Sequence, residues 1–351
     1  MFNYIYWDPK KEIFTIPIIN YPIVWYSLFF LIGFIIGYYI FVFILKKYFL
    51  NFPILFEKDI ISNERLLKDL KNPQNYKQKN ISDKIKVTKK NILTSLNKFI
   101  NGDIKNRISI EKAFTKSILS MKKKAILITD KLTIFVVIAT ILGARLGHIL
   151  FYENPSYYLN NPSIIFDIRH GLSGLSSHGA AIAILIALYL FKIAIKNYKP
   201  KISYLHLLDF IAVPTALCGF FIRIGNFFNQ EILGTPTNKF WGVIFAHPAD
   251  LGPIIPRHPV QLYEAFFYLL TFLILVFLSY KKYFLLRDGK LISVFLIFVF
   301  GFRFFIEFFK VKQSDIISDA SFLLMGQYLS IPFIVIGILF FIWDYLFKRT
   351  S

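Results

Sequence analysis

Arg223 and Asn226 stand three residues apart in Cys218-Gly-Phe-Phe-Ile-Arg-Ile-Gly-Asn-Phe-Phe-Asn-Gln-Glu231-Ile-Leu-Gly234, at the end of a long apolar run. On a helix that spacing puts both side chains on one face. An arginine near the centre of a membrane helix costs about 2.5–3.5 kcal/mol on insertion scales. A chain that keeps several is expected to use them on something buried and anionic, which in a bilayer means a lipid phosphate. A snorkelling arginine at a helix end is the alternative. Glu231 and Gly234 follow in a turn-rich segment.

Arg303 and Glu307 lie four apart in Phe-Gly-Phe-Arg-Phe-Phe-Ile-Glu-Phe-Phe-Lys. Two readings stay open. The pair neutralises itself on one helix face, or the carboxylate holds a guanidinium whose other donors are left for a phosphate, a geometry arginine suits better than lysine. His178 opens an apolar run after Arg169-His-Gly-Leu-Ser-Gly-Leu-Ser-Ser, where glycines let backbone and ring approach a ligand. In His258-Pro-Val-Gln-Leu-Tyr-Glu264, Gln261 and Glu264 are three apart and can share an inward face. Arg145, in Gly143-Ala-Arg-Leu-Gly-His148, is a further intramembrane guanidinium. Tyr26, after Trp25, falls near the outer end of the first apolar run, where an aromatic belt is the alternative.

Other chemistries find little support. Cys218 is the single cysteine, on an apolar stretch, and is read as core filling. Ser176 and Ser177 lack a Gly-x-Ser-x-Gly elbow. The six His show no His-Glu-x-x-His spacing, so no metal site and no cofactor are expected.

These residues need a membrane scaffold. Of 351 residues, 56% are hydrophobic and 19% aromatic, with mean hydropathy +0.54. Runs of about 20 apolar residues recur, each long enough for a hydrocarbon core of roughly 30 Å. The expected fold is all-α and polytopic, with about seven transmembrane helices: Pro22–Leu45, Leu132–Tyr152, His178–Ile195, Leu205–Ile224, Pro259–Leu278, Leu291–Phe309 and Phe322–Phe347. Three segments follow: residues 1–45 with the first helix, a basic polar cytoplasmic insertion over 46–130, and a catalytic core over 131–351. The insertion holds twenty Lys and Arg against eight Asp and Glu, with weak amphipathic periodicity around Ile92–Ile100 and Ile110–Leu119. It is read as partly helical, lying along the membrane surface.

The net charge of +20 raises nucleic acid as a partner. The excess Lys accompanies heavy Ile, Phe, Asn and Tyr usage, and cationic loops facing anionic lipid account for the rest. Membrane lipids are the expected partners, and nucleic acid is not. Basic segments fall in alternate loops, which places the N-terminus outside and the C-terminus inside. Met1–Asn20 lacks a basic n-region, so no cleavable signal peptide is expected. The absence of an evident internal repeat weighs against an inverted-repeat transporter.

Together, Val-Trp-Tyr26-Ser-Leu, Ser-His178-Gly-Ala, the Arg223–Gly234 stretch, His-Pro-Val-Gln-Leu-Tyr-Glu264 and Phe-Arg303-Phe-Phe-Ile-Glu307-Phe-Phe resemble the bacterial prolipoprotein diacylglyceryl transferases. The blocks occur in that family's order across most of the spans, and the Arg223–Gly234 stretch is similar to its signature. Arg145 with Gly147, His148 and Phe151-Tyr152 also resembles a family block. The resemblance implies transfer of the diacylglyceryl group of phosphatidylglycerol to the lipobox cysteine of an exported prolipoprotein, with glycerol phosphate leaving, in the bacterial inner membrane. It implies that Arg223 and Arg303 hold the phosphate, that Asn226, Glu231, Gly234 and Glu307 shape that site, and that Tyr26 and His178 are needed for activity. Arg145, Gln261 and Glu264 are counted with the substrate-binding set. The 46–130 insertion is longer than in compact family members, and the run before His178 is less glycine-regular.

The chemistry has its own logic. A thiol with pKa near 8.5 must become a thiolate to attack carbon, and fixed guanidinium groups stabilise the departing phosphate. His178 is the expected base, since an imidazole pKa near 6.5 suits the task; binding, or orienting Tyr26, is its other possible role. A carrier or flippase for an anionic lipid or solute is the rival class, and a scaffold built around the insertion a third.

Overall fold

The computed structural model describes residues 4–17, 21–52, 59–71, 111, 114, 117–153, 155–160, 165, 176–198, 200–311 and 323–347. The expectations for Ile92–Ile100, most of Ile110–Leu119 and the run 169–175 lie outside these residues. The chain forms two compact units, residues 1–41 with 208–351, and residues 42–207.

The main helices are α1 (Trp25–Phe49), α2 (Asn63–Lys71), α3 (Met121–Tyr152), α4 (Ser177–Ala194), α5 (Tyr204–Asn229), α6 (Val260–Ser279), α7 (Lys290–Ile306) and α8 (Met325–Phe347). Among the described residues six are long and apolar enough to cross a bilayer, and α4 is a shorter apolar helix. The chain is therefore polytopic and mainly helical, as expected. Among the described residues five short strands were not expected: β1 (Ile5–Trp7), β2 (Glu12–Ile16), β3 (Tyr21–Val24), β4 (Val243–Phe245) and β5 (Pro256–Arg257). Runs of two to five residues are too brief for alternation to announce them.

Helix ends differ from the hydropathy bounds for physical reasons. α3 starts at Met121, eleven residues before Leu132, because Ser120 caps it by accepting from Lys123 N at 3.3 Å. Its first turns bury Met121, Lys124, Ala125 and Ile128, so the helix outruns the apolar span. α5 continues past Ile224 to Asn229 and tolerates Pro214 within it; spanning helices carry such prolines because neighbouring groups satisfy the freed backbone.

In the unit of residues 42–207, α3 and α4 meet through small residues. A Cβ on Gly143 would lie 2.3 Å from Ala183 Cβ, and one on Gly147 would lie 2.5 Å from Gly179 Cα. This is the close backbone approach that small-xxx-small spacing allows in membranes. Where the chain leaves α1 and where it enters α3, the strands of connection are tied together. Ile60 and Ile118 form an antiparallel bridge, and Lys124 Nζ pairs with buried Asp59 at 2.7 Å.

In the other unit, α7 packs between α6 and α8, with Phe267 stacked on Phe302 at 3.5 Å and Phe300 on Phe333 at 4.3 Å. Buried Asp209 of α5 receives Gly289 N at 2.7 Å and Ile292 N at 2.8 Å. It thereby caps α7 from a neighbouring helix and satisfies amides that would otherwise be orphaned. β1 runs parallel to β4, which pairs antiparallel with β5. Trp7 then packs on Phe227 at 4.5 Å and donates Nε1–H to Phe227 O at 3.0 Å, fixing the last turn of α5. β2 and β3 form a hairpin leading directly into α1.

Candidate active site

The end of α5, the start of α6 and the end of α7 converge in one unit, and their polar residues form a single network. Arg223 Nη1 donates to Asn226 Oδ1 at 3.0 Å, one helical turn away as expected. Asn226 Nδ2 donates to Glu231 Oε1 at 2.6 Å. Arg223 Nε lies 3.0 Å from Glu264 Oε2 on α6, and Tyr268, one turn further along α6, lies within electrostatic reach of the guanidinium. Gln261 Nε2 donates to Glu231 O at 2.8 Å, while its buried Oε1 has no partner among the described residues. The guanidinium is thus held on several sides with donors left over for an anion.

Lys310, just past α7, closes the network. Its Nζ lies 2.7 Å from Glu264 Oε1 and 3.8 Å from Glu307 Oε2. Burial pulls the Lys310 pKa below the usual lysine range, against the opposing pull of Glu264. Glu264 therefore bridges two cations; it and Lys310 are nearly excluded from solvent, and Arg223 is partly buried.

The loop after α5 is shaped by backbone. Gln230 and Ile232 adopt left-handed φ of 55° and 56°; for a β-branched residue this is a strained conformation, of the kind that collects at functional sites. The loop is pinned by Thr235 N to Phe309 O at 2.8 Å, Val311 N to Leu233 O at 3.1 Å and His258 N to Thr235 O at 3.0 Å. Gly234 pairs with Lys310 as a β-bridge, and a Cβ on it would lie 2.2 Å from His258 O, so only glycine fits.

Arg303 and Glu307 share no ion pair among the described residues. The chain tightens into a 3₁₀ turn at Glu307–Phe309, and Glu307 instead accepts from Gly326 N at 3.2 Å and faces Lys310. The self-neutralising pair is thus not what forms. Arg303 keeps a buried Nε without a hydrogen-bond partner among the described residues. Tyr26, in the first turn of α1, packs against Gly225, where a Cβ would come within 2.7 Å of its ring. Its phenol is within electrostatic reach of Glu231 and Arg223. The unit therefore gathers Tyr26, Arg223, Asn226, Glu231, Gly234, Gln261, Glu264 and Glu307, with Arg303 one turn from Glu307.

Arg145 and His178 belong to the other unit. Arg145 Nε donates to Ile165 O at 2.7 Å, and its Nη1 lies 4.0 Å from Glu153. His148 Nε2 lies 2.9 Å from the same carboxylate, which also accepts from Tyr158 OH. These contacts, Tyr158 foremost, hold the Glu153 carboxyl below its ordinary pKa. His178 is exposed in the first turn of α4, behind Ser176, which serves as the helix cap rather than a nucleophile.

Lys310 and Tyr268 escaped the sequence reading. Lys310 closes the quoted Phe-Arg303 block three residues after Glu307, and Tyr268 stands four after Glu264. A search for cations and phenols at helical spacing from the intramembrane carboxylates would have found both.

Comparison with known proteins gives the family. The family model described as prolipoprotein diacylglyceryl transferase matches residues 107–343. The phosphatidylglycerol–prolipoprotein diacylglyceryl transferase of Protochlamydia amoebophila is 40% identical over 356 aligned residues, covering 95% of this chain and 93% of that protein. The enzyme of the same name from Tolumonas auensis is 44% identical over 211 residues, 60% of this chain and 76% of its own. That from Chlamydia pneumoniae is 40% identical over 224 residues, 64% and 77% respectively. A membrane scaffold carrying the Arg223–Gly234 stretch, and likeness along nearly its whole length to a transferase, lead to one conclusion: this chain belongs to the prolipoprotein diacylglyceryl transferase family.

Proposed function

We propose that this chain moves the diacylglyceryl group of phosphatidylglycerol onto the lipobox cysteine of an exported prolipoprotein, with the lipid phosphate held by Arg223 and Arg303. The observation that carries this reading is Arg303, a cation on an apolar helix whose buried Nε has no partner among the described residues. A buried donor left unpaired costs about 1–3 kcal/mol, and a phosphate oxygen would relieve it. Arg223, clamped by Glu264 and Asn226, presents its remaining donors without having to reorganise.

The substrate's thiolate attacks the glyceryl carbon that bears the phosphate. A sulfur–carbon bond forms, the carbon–oxygen bond breaks, and the electron pair leaves on the oxygen of glycerol phosphate. The guanidinium groups meet the charge that develops there. The thiol proton goes to a base, and His178, exposed at the start of α4, is assigned that role; a His178→Gln variant with full activity at neutral pH would remove it. Tyr26 orients groups beside Arg223 and Glu231. In this reading the Arg223–Glu264 end faces outward, where exported substrates arrive, in the plasma membrane of a bacterium; the alternation of cationic loops supports that orientation.

The test is direct. Purified protein with phosphatidylglycerol and a lipobox peptide should raise the peptide mass by one diacylglyceryl group. An unmodified peptide, with lipid movement between leaflets instead, would favour a carrier.

A further inference from the structure

The loop 246–254, which follows β4, holds a leucine in the open on a strained backbone. Leu251 is 95% exposed and adopts a left-handed φ of 54°, a region that leucine rarely enters. The loop is not frayed there. Leu251 N donates to Pro248 O at 3.0 Å, and Ala249 N to Gln230 O at 2.9 Å. Asp250 accepts from Gly252 N and from Arg257 Nη1, each at 3.0 Å, and Arg257 also donates to Pro253 O at 3.2 Å. Strain held in place by so many bonds, and used to present an apolar side chain, is of the kind that collects at functional sites.

Between this loop and Lys11 lies an open cleft of about 570 Å³, and both of its walls are fastened beside the candidate site. On one side Lys11 O accepts from the backbone N of Trp25 at 3.2 Å, the residue before Tyr26. On the other, Gln230, the residue before Glu231, holds the loop through its carbonyl and through Oε1, which accepts from His247 N at 2.6 Å. Tyr26 and Glu231 lie within electrostatic reach of each other. The cleft is thus framed by the two segments that carry them. Its rim is charged: beside Lys11, His247 Nε2 lies 3.2 Å from Asp8 Oδ1, both side chains exposed. Such groups avoid hydrocarbon, so a loop dipping into the bilayer fits poorly, and the lipid phosphate already has Arg223 and Arg303. The remaining reactant is a polypeptide. In an exported precursor the apolar signal segment precedes the processing site, so the residues after the reacting cysteine are those that leave the membrane. We propose that the cleft seats those residues in extended form, with an apolar side chain against Leu251 and Ile254. The inference rests on the transferase reading above and adds where its second substrate lies.

Leu251→Glu combined with Ile254→Glu alters two exposed side chains, so the fold is expected to survive, which a thermal melt checks. Two lipobox peptides are compared, one ending at the cysteine and one extended beyond it by about six residues, roughly 20 Å of strand. On the wild-type protein the extended peptide is expected to have a KM at least tenfold lower. The double variant should abolish that advantage and leave the KM for phosphatidylglycerol unchanged. Equal KM values for the two peptides on the wild type, or an advantage kept in the variant, overturns the proposal. A variant that raises the KM for phosphatidylglycerol and for both peptides alike marks a membrane contact and also overturns it. A second readout needs no turnover: the extended peptide, with serine in place of its cysteine and a diazirine side chain after it, is photolysed on the wild-type protein. Labelling of Lys11 or of residues 246–254, competed by the extended peptide and not by the short one, supports the cleft. Label placed only elsewhere, or competed equally by both peptides, overturns it. A wild-type protein that forms no thioether product ends the transferase reading, while the crosslink still decides the cleft.

Discussion

Replacing Lys310 with Met tests whether the network acts as a unit. The ammonium lies 2.7 Å from Glu264 Oε1 and 3.8 Å from Glu307 Oε2, with side-chain exposures of 5% for Lys310 and 3% for Glu264. Removing one partner of a buried pair costs about 3–5 kcal/mol. Glu264 retains Arg223 at 3.0 Å, so the lower end applies. That loss of about 3 kcal/mol falls on folding stability, while a guanidinium misplaced by about 1 Å can cost roughly a hundredfold in rate. Glu264 then turns wholly onto Arg223 or takes up a proton, and either change misaims the guanidinium. The expected result is a fall in kcat/KM of about a hundredfold, together with a lower unfolding midpoint in detergent. Lys310→Arg keeps the charge and should retain activity within about tenfold of wild type. Adding Glu264→Gln to Lys310→Met should recover part of the lost stability, because the uncompensated carboxylate is gone. Wild-type kcat/KM and midpoint in Lys310→Met would refute the reasoning, as would a double variant less stable than the sum of the singles.

Two further outcomes follow from the same geometry. Gly234→Ala would place a Cβ 2.2 Å from His258 O, so the loop bearing Glu231 must shift; transfer should drop more than about a hundredfold, the scale seen when catalytic groups move by 1 Å, and an active variant would show the loop to be pliant. His258 is held below its ordinary 6.5 first by burial and then by Lys239, with Tyr263 OH 3.2 Å from Nδ1. The folded state then binds fewer protons than the unfolded one below pH 6.5, so stability should fall as pH drops from 6.5 toward the depressed value. His258→Asn should flatten that acid limb when unfolding midpoints at pH 7.5 and 5.5 are compared, and an unaltered limb would count against it.

The helices were legible because a bilayer demands long apolar runs, and charges within those runs pointed to the polar network at the candidate site. Arg223 and Asn226 meet as their spacing implied, whereas the contacts of Asn226 and Gln261 with Glu231, and of Arg223 with Glu264, join groups that spacing had not related. What could not be read was which cation answers which carboxylate. An i,i+4 spacing suggested Arg303 with Glu307, yet the 3₁₀ turn redirects Glu307 to Gly326 and Lys310. Tertiary contacts decide such choices, and Gly326 comes from a different helix, α8. The cap that Asp209 gives α7 from eighty residues away was hidden for the same reason. The strands that brace the end of α5 were too short to signal themselves, and Trp7 gave no sign from sequence that it would lock Phe227 in place.

If Arg223 and Arg303 grip a lipid phosphate as its carbon–oxygen bond breaks, loss of either guanidinium must slow transfer. The most direct measurement is kcat/KM for diacylglyceryl transfer in Arg303→Ala, with the same melting midpoint as wild type. Removing a donor aimed at developing charge costs about 2.7–4 kcal/mol, so a fall of at least a hundredfold is expected. Turnover equal to that of the wild type in the folded variant would contradict the account.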